Sequence, residues 1–260
     1  MSAAKLNQLP RTQFTNKAIS EVVSMSSSKI LMRIFNERKV LLAESETGQV
    51  LSEIVVQDSP RSLCMTSTHL AAATLANETI QFIQVSENTL EEDSTVNIGV
   101  NVYGIAAHRN NLVVSCVPPA VMIISKDGEV IHKLDNQLAG REVFKTPRYI
   151  TTSSDGSIFV ADFRKNTISR LDGSLTILQT LSGPLLNSPH GIIAINRDKL
   201  LVCNKSNNNI VEIRPSSDTM TILLEKQHGI DYPINICLCK KQKKVYVVSE
   251  KGNVMIYKLE

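Results

Sequence analysis

The side chains able to do chemistry in this 260-residue chain are scattered rather than clustered. Its five cysteines are Cys64, Cys116, Cys203, Cys237 and Cys239, and only Cys237-Leu238-Cys239 brings two of them close in sequence. A structural zinc needs several closely spaced Cys and His ligands, so no zinc site is expected. Two residues apart on a strand, Cys237 and Cys239 share one face and read as small core side chains. Oxygen ligands for a divalent cation would come from Glu21, Asp162, Asn204 and Asn235, each near a strand end. A lactonase-like metal-dependent hydrolase would need such groups to converge. The four do not share one blade position, and blades two and three offer no partner, so neither a metal nor a cofactor is expected. Among His69, His108, His132, His190 and His228, the Ser-Pro-His-Gly setting of His190 suits it to line a channel or to bridge neighbouring units. The chain has no G-x-S-x-G elbow, no H-E-x-x-H and no phosphate-cradling glycine loop, and no catalytic residue is assigned.

The elements that must carry these residues repeat along the chain. Pro147, Pro189 and Pro233 each open an apolar strand, a polar turn, a second strand, a polar loop and a third strand, at spacings of 42 and 44 residues. Weaker copies open at Val102, Pro60 and Ile19, which makes six units. The last unit, residues 233–260, lacks a fourth strand, and residues 5–15 ahead of the first unit read as extended. Units of four short strands cannot hide their faces and edges alone, and side-by-side radial packing gives a β-propeller. The expected fold is therefore all-β: one six-bladed propeller over residues 1–260, with blades starting near 19, 60, 102, 147, 189 and 233. Residues 5–15 are expected to close the ring as the outermost strand of blade six. Turn dipeptides such as Asp127-Gly128 and Asp155-Gly156 bound the strands, and no window keeps the apolar stripe of a long helix. The absence of Trp excludes a WD-type propeller, and 11 Gly are too few for kelch blades.

Lys+Arg 28 against Asp+Glu 25 leaves a net charge of +3, too small to imply a polyanion partner by itself. No apolar run approaches the ~20 residues of a membrane span, and the N-terminus lacks the apolar core of a secretory signal. An odd, dispersed set of cysteines fits a reducing compartment. A monomeric, cytoplasmic domain without a membrane contact is expected.

Blade four carries a fingerprint: Pro147-x-x-Ile150, then Asp155-Gly156-x-Ile158-x-Val160-Ala161-Asp162, then Asn166-x-Ile168. Blade five repeats it as Pro189-His190-Gly191-Ile192, a strand ending in Asn204 where blade four has Asp162, then Asn208 and Ile210. Blade six keeps Pro233 and Asn253, while Thr74 and Cys116 fall roughly where Asp162 would in blades two and three. This pattern resembles the NHL repeat. Asp162 reads as an acceptor for backbone N–H groups of the following loop, with Asn166 closing the turn and Asn204 as its replacement. The resemblance implies a recognition platform such as the C-terminal part of tripartite-motif proteins, whose top face binds RNA in some members and proteins in others. Any ubiquitin-ligase catalysis would then belong to a parent polypeptide, and this chain is expected not to be an enzyme.

In a propeller the loops between second and third strands share one face, the top, with the loops between blades. Those loops carry Arg141, Lys145, Arg148, Tyr149, Arg164, Lys165, His190, Lys205, Lys226, His228 and Lys251. Most belong to blades four to six, so half of the rim is expected to be positive, with Glu91-Glu92-Asp93 as an acidic inter-blade loop before blade three. A protein partner on the top face is the first expectation. Single-stranded RNA tracked along the basic rim, with Tyr149 as a stacking surface, is the second. The Lys240-Lys241-Gln242-Lys243-Lys244 turn is expected on the opposite face.

Overall fold

The computed structural model describes residues 5–10, 14–15, 17–25, 28–137 and 140–260. Six antiparallel four-stranded sheets are arranged in a ring, each in simple sequential order except the last. The first strand of each sheet lies innermost: Ile19–Ser24, Pro60–Met65, Asn101–His108, Pro147–Thr152, Pro189–Asn196 and Pro233–Cys239. These six strands pack against one another around the axis, and the first touches the last to complete the circle. The one helical segment among the described residues is a short 3-10 turn, Lys226–His228, and no helix is long and apolar enough to cross a membrane.

Closure comes from the N-terminus. Leu6–Gln8 pairs antiparallel with Val254–Leu259, in the register Leu6↔Leu259, Asn7↔Lys258 and Gln8↔Tyr257. Lys5 and Leu9 extend the ladder, Lys5 accepting from Glu260 N–H and Leu9 donating to Ile256. The closing strand is shorter than residues 5–15; part of that stretch, residues 11–13, lies outside the described residues. Phe14 is buried in the seam between blades six and one.

The core is not one mass but six, one in each gap between neighbouring sheets. Alternate residues of a strand enter different gaps. In Lys29–Ile34, Ile30 and Met32 face blade six while Leu31 faces blade two. Both faces of each blade are thus covered, which is why the middle strands read as continuous apolar runs such as Leu112-Val113-Val114. Cys237 and Cys239 enter the same gap, and all five cysteines are buried free thiols. Burial raises the Cys64 and Cys116 thiols to about 12, which leaves them protonated and unreactive at neutral pH.

Candidate binding site at the channel mouth

Every inner strand breaks register at its first residues. Two residues there oppose one on the neighbouring strand, a bulge that re-aims side chains at the top of the channel. The positions after the opening residue carry Ser20, Arg61, Tyr103, Arg148, His190 and Ile234 in blades one to six. The next positions carry Glu21, Ser62, Gly104, Tyr149, Gly191 and Asn235. Residues of both sets, with Arg33, surround the mouth of the channel.

The second set joins blade to blade. Glu21 accepts from Ser62 Oγ at 2.9 Å, Leu63 N–H at 3.1 Å and Arg33 Nε at 3.4 Å, tying blade one to blade two. Burial pushes its carboxyl above the ordinary range, and Arg33 and these bonds oppose the rise. Asn235 Oδ1 accepts from Val22 N–H at 3.1 Å, tying blade six to blade one. Ser115 Oγ accepts from Gly104 N–H at 2.9 Å and donates to Arg148 O at 3.2 Å, tying blade three to blade four. Gly104 is required there, because a Cβ would lie 2.1 Å from Arg148 O. His190 joins blade four to blade five: its ring lies 5.1 Å from Tyr149 and 5.5 Å from Phe163, and Nδ1 is 2.9 Å from Ser188 O. Burial lowers His190 to about 4, so it is neutral at physiological pH. Tyr149 lines the channel and its mouth beside the His190 ring, and burial raises its phenol to about 12.

At the end of the second strand of blade four, Asp162 accepts from four backbone N–H groups, those of Lys145, Thr146, Arg164 and Lys165. Asn166 is the last residue of the turn between the second and third strands, and its side chain reaches further. In a left-handed conformation (φ 55°), it accepts Ser188 N–H from the next inter-blade loop. Asn208 (φ 51°) does the same for Tyr232 N–H. Asn204 occupies the place of Asp162 with different wiring: it accepts from Asn187 N–H and donates to Leu185 O and Asn209 Oδ1. Cys116 lies opposite Val102 as Asp162 lies opposite Pro147. In blade two the residue opposite Pro60, as Asp162 is opposite Pro147, is Leu75, one place beyond Thr74. Thr74 instead donates to Tyr103 O at 2.8 Å, joining blades two and three. Glu21, Asp162, Asn204 and Asn235 are therefore not brought to one point. Among the described residues no three Asp, Glu, His or Cys side chains form a metal-sized group.

The basic rim residues separate into two groups. Lys165 Nζ donates to Glu142 O and Val143 O, Lys205 pairs with Glu250, and Lys251 pairs with Asp231 at 2.8 Å. Arg141, Lys145, Arg148 and Arg164 are exposed. Arg148 lies with its Cζ 5.0 Å from the centre of the Tyr103 ring, Arg61 lies 4.4 Å from the same ring, and Arg164 lies 5.8 Å from the Phe163 ring. Lys226 and His228 are exposed on the 3-10 turn. Glu91-Glu92-Asp93 is not an inter-blade loop but part of the outer strand Leu90–Asn97 of blade two. Residues 91–94 of this edge strand are exposed in succession, so both of its faces are solvated there and a charged run fits it as well as a loop. Arg33, Arg61 and Tyr103 line the mouth and Phe163 lies beside it against His190, none of them singled out from sequence. Pro60-Arg61 repeats Pro147-Arg148 at the same blade position, a signal that would have found Arg61.

No protein-family model matches the chain, and no curated protein matches it. Solved structures match it in fold. The β-propeller domain of Cps50 (Swd1) from Myceliophteria thermophila superposes with a TM-score of 0.68 at 10% identity, over 93% of this chain and 84% of that one. Virginiamycin B lyase from Staphylococcus aureus gives 0.65 at 18% identity, over 98% and 89%. A catalytically inactive variant of that lyase with quinupristin gives 0.66 at 17%, over the same shares. These identities establish a likeness of fold: the chain is a six-bladed β-propeller.

Proposed function

We propose that this propeller is a non-catalytic interaction module that presents its top face to a protein partner. The observation that carries the reading is the composition of that face. Phe35, Val117 and Tyr232 stand out from its loops at 59%, 40% and 43% exposure, on the same face as Arg61, Arg148 and Arg164. Aromatic residues and arginine are the side chains that dominate the energetics of protein interfaces. The non-catalytic part of the reading rests on Glu21, Asp162, Asn204 and Asn235, whose oxygens are engaged by the framework. The likeness to the NHL repeat in blades four and five supports a finer role, as the substrate-recognition part of a tripartite-motif-like ubiquitin ligase. RNA binding is the second reading, favoured by the proximity of Lys145, Arg148 and Arg164.

The test is quantitative cross-linking capture from a cell extract, with and without ribonuclease. Wild type is compared with a top-face variant, Phe35→Asp with Tyr232→Asp, and a bottom-face control, Lys240→Glu with Lys241→Glu. The expected result is a set of proteins lost only from the top-face variant and indifferent to ribonuclease. Capture abolished by ribonuclease would give the RNA reading instead, and equal loss from the bottom-face control would refute a top-face site.

A further inference from the structure

Between blades three and four, beside the channel mouth, the top face opens into a cleft of about 330 Å³. Its apolar walls are Val117, Pro119, Pro147 and Phe163, with the Tyr103 ring beneath Arg148. Its cations are Lys145, Arg148 and Arg164, and no carboxylate lines it. Asp162, the nearest acid in sequence, is buried and committed to four backbone N–H groups. Among the described residues no acceptor lies within hydrogen-bonding reach of the Lys145, Arg148 or Arg164 side chains. Two of these cations are nevertheless held in place. Arg148 leans on Tyr103, and its backbone is fixed through Ser115 and Gly104; Arg164 leans on Phe163. A guanidinium resting on an aromatic ring keeps its N–H edge free for a planar, two-oxygen acceptor, at a reduced entropy cost on binding.

We propose that this cleft is the docking site for a short acidic peptide segment of the partner. An apolar side chain enters between the aromatic and proline walls, and adjacent carboxylates fork onto Arg148 and Arg164 with Lys145 beside them. The inference rests on the protein-binding reading above and names the chemistry of the partner. Charge complementarity selects the occupant: the cleft holds three cations and no acid. The rings favour a peptide over a nucleic acid. Arg61 and Arg148 already lie against Tyr103, and His190 lies against Tyr149, so neither ring is offered to a base.

The test is selection of random 12-residue peptides displayed on phage against the full chain, followed by fluorescence anisotropy of the winners. The expected winners place Asp or Glu beside an aromatic or aliphatic residue. They should bind Arg148→Glu with Arg164→Glu at least tenfold more weakly than wild type. The milder pair Arg148→Gln with Arg164→Gln guards against misfolding; it should also weaken binding severalfold with an unchanged melting curve. Winners without acidic residues, or acidic winners indifferent to both pairs, would overturn the cleft while leaving the protein-binding reading intact. Salt-sensitive binding of a random 15-nucleotide RNA, lost in the same variants while no peptide is selected, would overturn both.

Discussion

Exchanging Asp162 and Asn204 tests whether equivalent blade positions are equivalent chemically. Asp162 presents two acceptor oxygens to four donors: Oδ2 faces Lys145 N–H at 2.6 Å and Thr146 N–H at 3.0 Å, and Oδ1 faces Thr146, Arg164 and Lys165 N–H at 3.0, 3.2 and 3.1 Å. In Asp162→Asn one oxygen becomes an amide NH2. Whichever way the amide turns, either Lys145 N–H or the Arg164 and Lys165 pair meets a donor in place of an acceptor. Each orphaned buried N–H costs about 1–3 kcal/mol, so the cheaper orientation sets the loss at about 1–3 kcal/mol. For a domain of this size that is a fall of about 2–12 °C in melting temperature. Asn204→Asp fails for the opposite reason. Its amide now donates to Leu185 O and to Asn209 Oδ1, so a carboxylate would place an oxygen against two acceptors at a fully buried site. The expected cost at neutral pH is about 3–5 kcal/mol, that of an uncompensated buried charge. A carboxyl so placed has a folded pKa above its unfolded value of about 3.9. The Asn204→Asp variant therefore regains stability as pH falls from that raised value toward about 3.9. Urea unfolding of both variants between pH 7 and pH 4 is the measurement. If both variants stay within about 0.5 kcal/mol of wild type, the hydrogen-bond assignments at the strand ends are wrong.

Three further outcomes follow from the geometry. In Gly104→Ala the new Cβ would meet Arg148 O at 2.1 Å, so the inner strands of blades three and four must part. The expected loss is about 1–3 kcal/mol, with weaker binding of any peptide held by Arg148, and an unchanged urea midpoint would refute the close approach. Removal of residues 1–10 should uncover the edge of Val254–Leu259 and give self-association by sedimentation, whereas a monomer with the wild-type melting curve would refute the closure. His190, lowered to about 4 by burial, is neutral in the folded state while the unfolded histidine protonates near 6.5. The unfolded state thus binds more protons below 6.5, and stability falls as pH falls toward 4, by up to about 3 kcal/mol. His190→Gln should flatten that acid limb in urea titrations; an identical slope in both proteins would refute the shift.

How much of this was legible in the sequence can be judged residue by residue. Pro147, Pro189 and Pro233 sit at the start of inner strands because a proline lacks an N–H and suits the first place of a strand. Asp155-Gly156 forms a turn with Gly156 at φ 84°, as the dipeptide requires. The backbone-binding use of Asp162 was also legible, since a short acceptor at a strand end has few other partners. The interchange with Asn204 was not, because its donors and acceptors come from the loop at residues 185–187 and from Asn209. The place of Asp162 in blade two falls to Leu75 rather than Thr74, and an apolar residue there leaves no acceptor in the sequence to mark the position. Glu91-Glu92-Asp93 reads as a loop because an edge strand exposed on both faces carries successive acids as readily as a loop does.

By itself the sequence determined the number of blades, the order of strands within each and the use of the N-terminal segment to close the ring. Those features follow from apolar periodicity and turn chemistry, which are local along the chain. The tertiary structure alone decided which polar side chains hold the framework and which are left exposed on the top face. Lys205 and Lys251 pair with Glu250 and Asp231, while Glu21 and Asn235 accept hydrogen bonds from neighbouring blades. Only in the folded ring are Tyr103, Arg148 and Arg164 gathered into one cleft, because a propeller sets side by side residues that lie a full blade apart in sequence.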